Sequence, residues 1–223
     1  YTEAATMPGP GSLILREQFH YYRFGTDPTP EPGAAPGSGV QHSDSYELMT
    51  SLQYGLARDL SLSVEIPVVF DREKLFDGST DSDKGVADLD LMLKYRFYRN
   101  DTGGVDTLRA AALLGATVAS GDDRDFSTQS VNPMLGAVVT MVRGRHGFNQ
   151  DLSYTFNTGS TRDNAGGGQG PEDALRFNSS YVFRLAPDAF TSESDGAWYS
   201  TLELNGLYET NGDRELRWAP GLM

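Results

Sequence analysis

Between Leu60 and Ile66, and again between Leu89 and Phe97, apolar and polar residues alternate with period two. Only an extended strand sends every second side chain to one face, so each segment is a strand with one oily surface and one wet one. The wet surface of the second segment carries Asp88, Asp90, Lys94 and Arg96. Full charges of both signs do not fit the dry core of a sandwich. A water-filled interior accepts them, so the expected fold is all-β: an antiparallel, up-and-down transmembrane β-barrel.

Reading strands by this alternation places nine, at Leu13–Phe24, Tyr46–Tyr54, Leu60–Phe70, Val86–Tyr98, Thr107–Ser120, Val131–Arg143, Phe148–Asn157, Ala174–Leu185 and Trp198–Tyr208. Each is close to the roughly 9–11 residues that cross a bilayer when tilted. Long polar links follow the first, third, fifth and seventh strands (Gly25–Ser45, Asp71–Gly85, Gly121–Ser130, Thr158–Asp173). Shorter links follow the second, fourth and sixth (Gly55–Asp59, Arg99–Asp106, Gly144–Gly147), and Ala186–Ala197 is a less tidy fourth. Outer-membrane barrels sort short periplasmic turns from long outer loops in this way. The first strand is therefore expected to run outward from the periplasm.

With no interdomain linker in 223 residues, residues 1–223 read as a single barrel domain. Tyr1 has no Met, basic segment or apolar segment before it, so an export signal is expected to have been removed. Gly221-Leu222-Met223 breaks off as a new strand begins, so closing strands are expected to be missing: about nine to ten strands here, of about 12 in all. A hydrophobic content of 38% suits strands that are half apolar, and no apolar run approaches the roughly 20 residues of a membrane helix. Cysteine is absent, which removes disulfides, thiolate nucleophiles and cysteine metal sites. The net charge of −13 speaks against a nucleic-acid partner and against bare anionic lipid headgroups.

Facing follows from energy. In Leu89–Phe97 the Leu, Tyr and Phe side chains share one side and Asp90, Met92, Lys94 and Arg96 the other. A one-residue slip would put those cations into hydrocarbon at about 2–4 kcal/mol each. Ala174–Leu185, Phe148–Asn157 and Trp198–Tyr208 repeat the design. In the first strand Glu17 interrupts the apolar face, and Arg109-Ala110-Ala111-Ala112 shows no alternation, so the first, fifth and sixth strands do not declare their faces. Aromatics cluster at strand ends (Tyr21-Tyr22-Arg23-Phe24, Tyr95-Arg96-Phe97-Tyr98, Trp198-Tyr199), as interfacial girdles do, although strands favour aromatics in any case. Pro67 cannot donate a ladder hydrogen bond and marks a bulge or the outer end of its strand.

Gly85-Val86-Ala87-Asp88-Leu89-Asp90-Leu91-Met92-Leu93-Lys94-Tyr95-Arg96-Phe97 resembles a strand of the bacterial outer-membrane family named for the MetA pathway of phenol degradation. Tyr54-Gly55-Leu56 with Leu60–Pro67 is similar to its preceding hairpin, and Gly115–Asp122 to its next strand and loop, here without the Pro-Thr-Gly frequent in the family. Leu202–Gly206 and Trp218–Leu222 are similar to later segments. The resemblance implies a Gram-negative outer-membrane barrel, porin-like, for transport of aromatic or other hydrophobic compounds.

Lumen candidates are Glu65, Asp88, Asp90, Lys94, Arg96, Arg109, Asp151, Arg176, Arg184 and Glu203, which either set selectivity or pair across the interior and fill it. Catalysis has little to work with. His20, His42 and His146 have no metal-ligand spacing, and only His20, on a strand, could serve an outer-membrane hydrolase. Asp77, Asp81 and Asp83, and Asp122, Asp123 and Asp125, lack calcium-loop spacing; they form a solvated acidic surface or bridge to lipopolysaccharide through divalent ions. Gly166-Gly167-Gly168-Gln169-Gly170 has no following helix or Lys and reads as a flexible loop. No catalytic residue, cofactor or metal is expected. The expected partners are outer-membrane lipid, lipopolysaccharide and a small-molecule permeant. Two functions stay open: a passive channel for small, aromatic or hydrophobic molecules, or a scaffold that holds a protein such as an electron-transfer partner in the lumen or from the periplasm.

Overall fold

The computed structural model describes residues 2–25, 40–122, 126–159, 172–190 and 196–223. Its strands are β1 (Leu13–Phe24), β2 (Val40–Ala57), β3 (Leu60–Leu75), β4 (Thr80–Val86), β5 (Leu89–Thr102), β6 (Asp106–Val118), β7 (Asn132–Arg143), β8 (His146–Thr155), β9 (Ala174–Ala186), β10 (Trp198–Glu209) and β11 (Arg214–Leu222). All lie in one antiparallel sheet of order β1-β2-β3-β5-β6-β7-β8-β9-β10-β11, with β4 paired to β3. The sheet curls into a half-barrel whose described edges are β1 and β11.

The side chains are sorted in the opposite sense to a water-soluble protein. The convex face exposes Leu15 (61%), Phe19 (66%), Leu114 (55%) and Trp218 (70%), while the concave face buries Ser61 (1%), Lys94 (2%), Thr140 (4%) and Asp151 (4%). Soluble proteins bury large apolar side chains and leave charges in water. Here period two carries the oily set outward and the polar set inward.

Two strands were not read from the sequence. β4 lies inside the expected link Asp71–Gly85, where it pairs with an extension of β3 through Val68↔Val86 to Lys74↔Thr80. Thr80-Asp81-Ser82-Asp83-Lys84 has no oily set because both its faces are polar, and without that contrast period two is invisible. β11 follows β10 after only residues 210–213, so one tight turn stands at the end where the other connections are long. Pro67 does not end its strand. It sits inside β3 where the neighbour changes from β5 (up to Glu65↔Asp90) to β4 (from Val68↔Val86), and its carbonyl accepts the Ala87 N–H at 2.9 Å. A residue with no N–H is tolerated at such a gap in the ladder.

The faces left undecided are settled as well. On β1, Ile14 and Arg16 line an interior cavity and Leu13, Leu15, Glu17, Phe19 and Tyr21 point out. Glu17 is thus an outward carboxylate between Leu15 and Phe19, and its companion is the Thr50 hydroxyl, which donates to it at 2.9 Å. On β6 and β7 the concave side carries Ala111, Leu113 and Val138, which are buried and apolar. Oil on both faces erases the alternation of these two strands.

Candidate lumen site

The concave polar residues converge on a cavity of ≈ 410 Å³. Its carboxylates are Glu3, Glu65, Asp90, Asp151, Glu172 and Glu209, its guanidinium is Arg176, and Met92, Leu113 and Met134 give it an apolar floor. A smaller cavity of ≈ 80 Å³ lies toward β1–β3, bounded by Ile14, Arg16, Ser51, Gln53 and Lys94. Glu3, Ser63 and Glu65 line both, so the segment that carries Glu3 stands between them.

That segment is the stretch before β1. Gly11 N–H donates to the Gly55 carbonyl (2.8 Å) and Gly55 N–H to the Ser12 carbonyl (3.0 Å), fixing the chain against the β2–β3 turn. A Cβ at Gly55 would collide with the Gly9 carbonyl, so glycine is what permits the approach. From there the chain runs back into the concavity. Ala5 N–H donates to Thr140 Oγ1 (2.8 Å) and Glu3 N–H to Asp151 Oδ2 (2.8 Å). Lys94 Nζ donates to the Ala4 carbonyl (2.8 Å) and pairs with the Glu3 carboxylate. Ala5 is wholly buried against Ala111, Leu113 and Val138, with Met7, Met92 and Met134 packed around. This plug explains how Lys94 tolerates 2% exposure: its ammonium is held by the Glu3 carboxylate and the Ala4 carbonyl.

Of the ten lumen candidates, Glu65, Asp90, Asp151 and Arg176 meet at the larger cavity, and Lys94 adjoins it. Glu203 shares the concave parity of β10, opposite buried Ser180. The remaining cations stand at the turn end as struts. Arg96 donates to Asp59 Oδ1 (2.9 and 2.7 Å) and to the Arg58 carbonyl (2.7 Å), pinning the β2–β3 turn. Arg109 forks onto Asp101 at 3.1 Å twice, and Arg184 stacks over Phe190 at 4.2 Å.

Asp88 lies at the rim, between β4 and β5. Its Oδ1 accepts the N–H groups of Ser120 and Gly121 (2.9 Å each), and its Oδ2 accepts the N–H and hydroxyl of Thr128 (2.7 Å each). Burial works against ionisation, but bonds from Thr128, Gly121 and Ser127 outweigh it and hold the carboxyl down at about 2, against an ordinary 3.8. A lowered folded-state pKa contributes stability that is present above the unfolded value and is lost as pH falls through the folded value of about 2. Asp88→Ala is therefore expected to release Ser120, Gly121 and Thr128 already at neutral pH, at about 1–3 kcal/mol. Hydrogen exchange at Gly121 and Thr128 measures it; unchanged protection would mean that Asp88 is not the clasp.

His20 Nδ1 stands 3.1 Å from Glu47 Oε2, and among the described residues no serine hydroxyl bonds to it. His42 faces Asp44 at 3.8 Å, and His146 meets the Tyr181 hydroxyl at 2.7 Å. Asp77 caps its own turn through Ser79 and Asp122 caps Val86. Among the described residues no group of three or more His, Asp or Glu could hold a metal ion. Asp123, Asp125 and Gly166–Gly170 lie outside the described residues. The plug contacts Glu3 and Thr140 were not read from the sequence: residues 2–11 have no periodicity, and Thr140 is a lone hydroxyl in an apolar run.

Comparison with protein-family models finds no family that matches the chain, and comparison with curated proteins finds no match either.

Proposed function

We infer that the chain forms the wall of an outer-membrane barrel that admits small organic solutes through its concave side, narrowed by residues 2–11. The observation that carries this reading is the inverted sorting of side chains, which matches hydrocarbon outside and water inside. Aromatic rings support it: Tyr21, Tyr46 and Phe70 stand together toward one end of the convex face, at centroid distances of 5.1 and 6.0 Å, and Tyr95, Phe97 and Trp198 toward the other. The resemblance to the MetA-pathway family and the methionine floor of the cavity favour permeants with an apolar part. Six carboxylates against one guanidinium favour cations over anions.

Planar-bilayer recording tests this directly. Deleting residues 2–8 is expected to raise conductance severalfold over the full chain, with a reversal potential of cation-selective sign in a salt gradient. Silence from both proteins would sink the channel.

One observation favours the scaffold reading as runner-up: the concave face already holds an extended peptide through Lys94, Thr140 and Asp151. A partner threaded there would co-purify in stoichiometric amount with a non-conducting barrel.

A further inference from the structure

The hairpin of β3 and β4 beyond the aromatic rings has an unusual register. Asp71 stands opposite Asp83 and Glu73 opposite Asp81, while Arg72 faces Ser82 and Lys74 faces Thr80. Like charges directly opposite destabilise a sheet. A slip of one residue would set Asp71 against Lys84, Arg72 against Asp83 and Lys74 against Asp81, making three cross-strand ion pairs. The observed register forgoes them and separates the charges by face.

Parity assigns the faces. Phe70, Arg72 and Lys74 share the convex side with Lys84, Ser82 and Thr80, and with Asp44 and His42 of β2 and Arg23 of β1. Asp71, Glu73, Asp81 and Asp83 all point the other way. Asp44, the carboxylate within this patch, is engaged by the Tyr21 hydroxyl (2.7 Å), Arg23 (3.7 Å) and His42 (3.8 Å). Arg72, Lys74 and Lys84 have no side-chain ion pair among the described residues and are exposed. A hollow of ≈ 220 Å³ opens between His42, Asp44, Arg72, Lys74 and Thr80.

Directly below, on the same face, are Tyr21, Tyr46 and Phe70. At about 3.4 Å per residue, Arg72 and Lys74 stand about 7 and 14 Å beyond Phe70. This is the depth at which headgroup phosphates sit above an aromatic belt.

We propose that Arg72, Lys74 and Lys84, flanked by Arg23 and His42, form a binding site for the phosphate groups of a phosphorylated glycolipid in the surrounding leaflet. The site rests on the membrane reading above. It reverses the expectation drawn from net charge, because −13 averages over two faces and only one of them meets lipid. It also replaces divalent bridging through Asp81 and Asp83, which face away from the lipid side.

The test uses the full chain in neutral detergent, titrated with diphosphorylated lipid A, with the same lipid lacking phosphates, and with inorganic phosphate. The triple variant Arg72→Gln/Lys74→Gln/Lys84→Gln is expected to lose about 100-fold in affinity for the diphosphorylated lipid, from roughly a factor of five per cation. The opposite-face variant Asp71→Asn/Glu73→Gln/Asp81→Asn is expected to bind as the parent does. Equal binding by parent and triple variant overturns the site while leaving the membrane reading intact. Competition by inorganic phosphate at the same concentration as the lipid overturns the lipid assignment. A chain that stays monodisperse without detergent and does not partition into bilayers overturns the membrane reading and the site with it.

Discussion

Leu152→Arg is expected to destabilise the folded chain in a bilayer by about 2–4 kcal/mol, and Ser153→Arg by less than about 1 kcal/mol. The two positions are neighbours on β8 with opposite fates. Leu152 is half exposed on the convex side between Ala137 and Phe177, and Ser153 lines the large cavity among its carboxylates. If the convex face meets hydrocarbon, the first guanidinium must enter it or distort the bilayer, and the second stays in water. Urea unfolding in lipid vesicles measures both. In a water-soluble sheet the exposed Leu152 would accept Arg without loss, so a neutral result there would remove the basis for placing this chain in a membrane.

Lys94→Met is the second large effect. Taking away one partner of a buried ion pair costs about 3–5 kcal/mol, because the other charge is left unpaired. Here the orphan would be Glu3, and the Ala4 carbonyl would lose its donor too. Because Glu3 sits on a short segment ahead of β1, the molecule can avoid the penalty by releasing that segment and leaving the sheet in place. The expected outcome is rapid hydrogen exchange and protease cleavage within residues 2–11, while the amides of β6 and β7 stay protected. Ala111→Cys, in a chain with no other cysteine, would then react with a water-soluble thiol reagent only in the Lys94→Met background. If the segment stays protected, the ion pair is not what holds it.

Strands with one oily and one polar face were legible because a two-sided environment writes a two-residue period into the chain; β5, β8, β9 and β10 follow it closely. β4 was missed for the converse reason, since polarity on both faces leaves no period to read. β6 and β7 gave strands without faces. Their concave residues Ala111, Leu113 and Val138 are dry because Ala5 covers them, and no pattern within β6 or β7 could announce a cover contributed from more than a hundred residues away. Asp88 looked like one more inward charge in a strand, whereas Ser120, Gly121 and Thr128, remote in sequence, donate to its carboxylate.

The polar and apolar sides of most strands, and with them the all-β antiparallel architecture, were determined by the sequence alone, because alternation is a local property of an extended backbone. The tertiary structure decided which charges meet. Lys94 with Glu3, Arg96 with Asp59, and the cations of β3 and β4 gathered on one face all depend on register and on a chain segment folding back into the concavity. Those distances are set by hydrogen bonds between residues remote in sequence, and local periodicity carries no information about them.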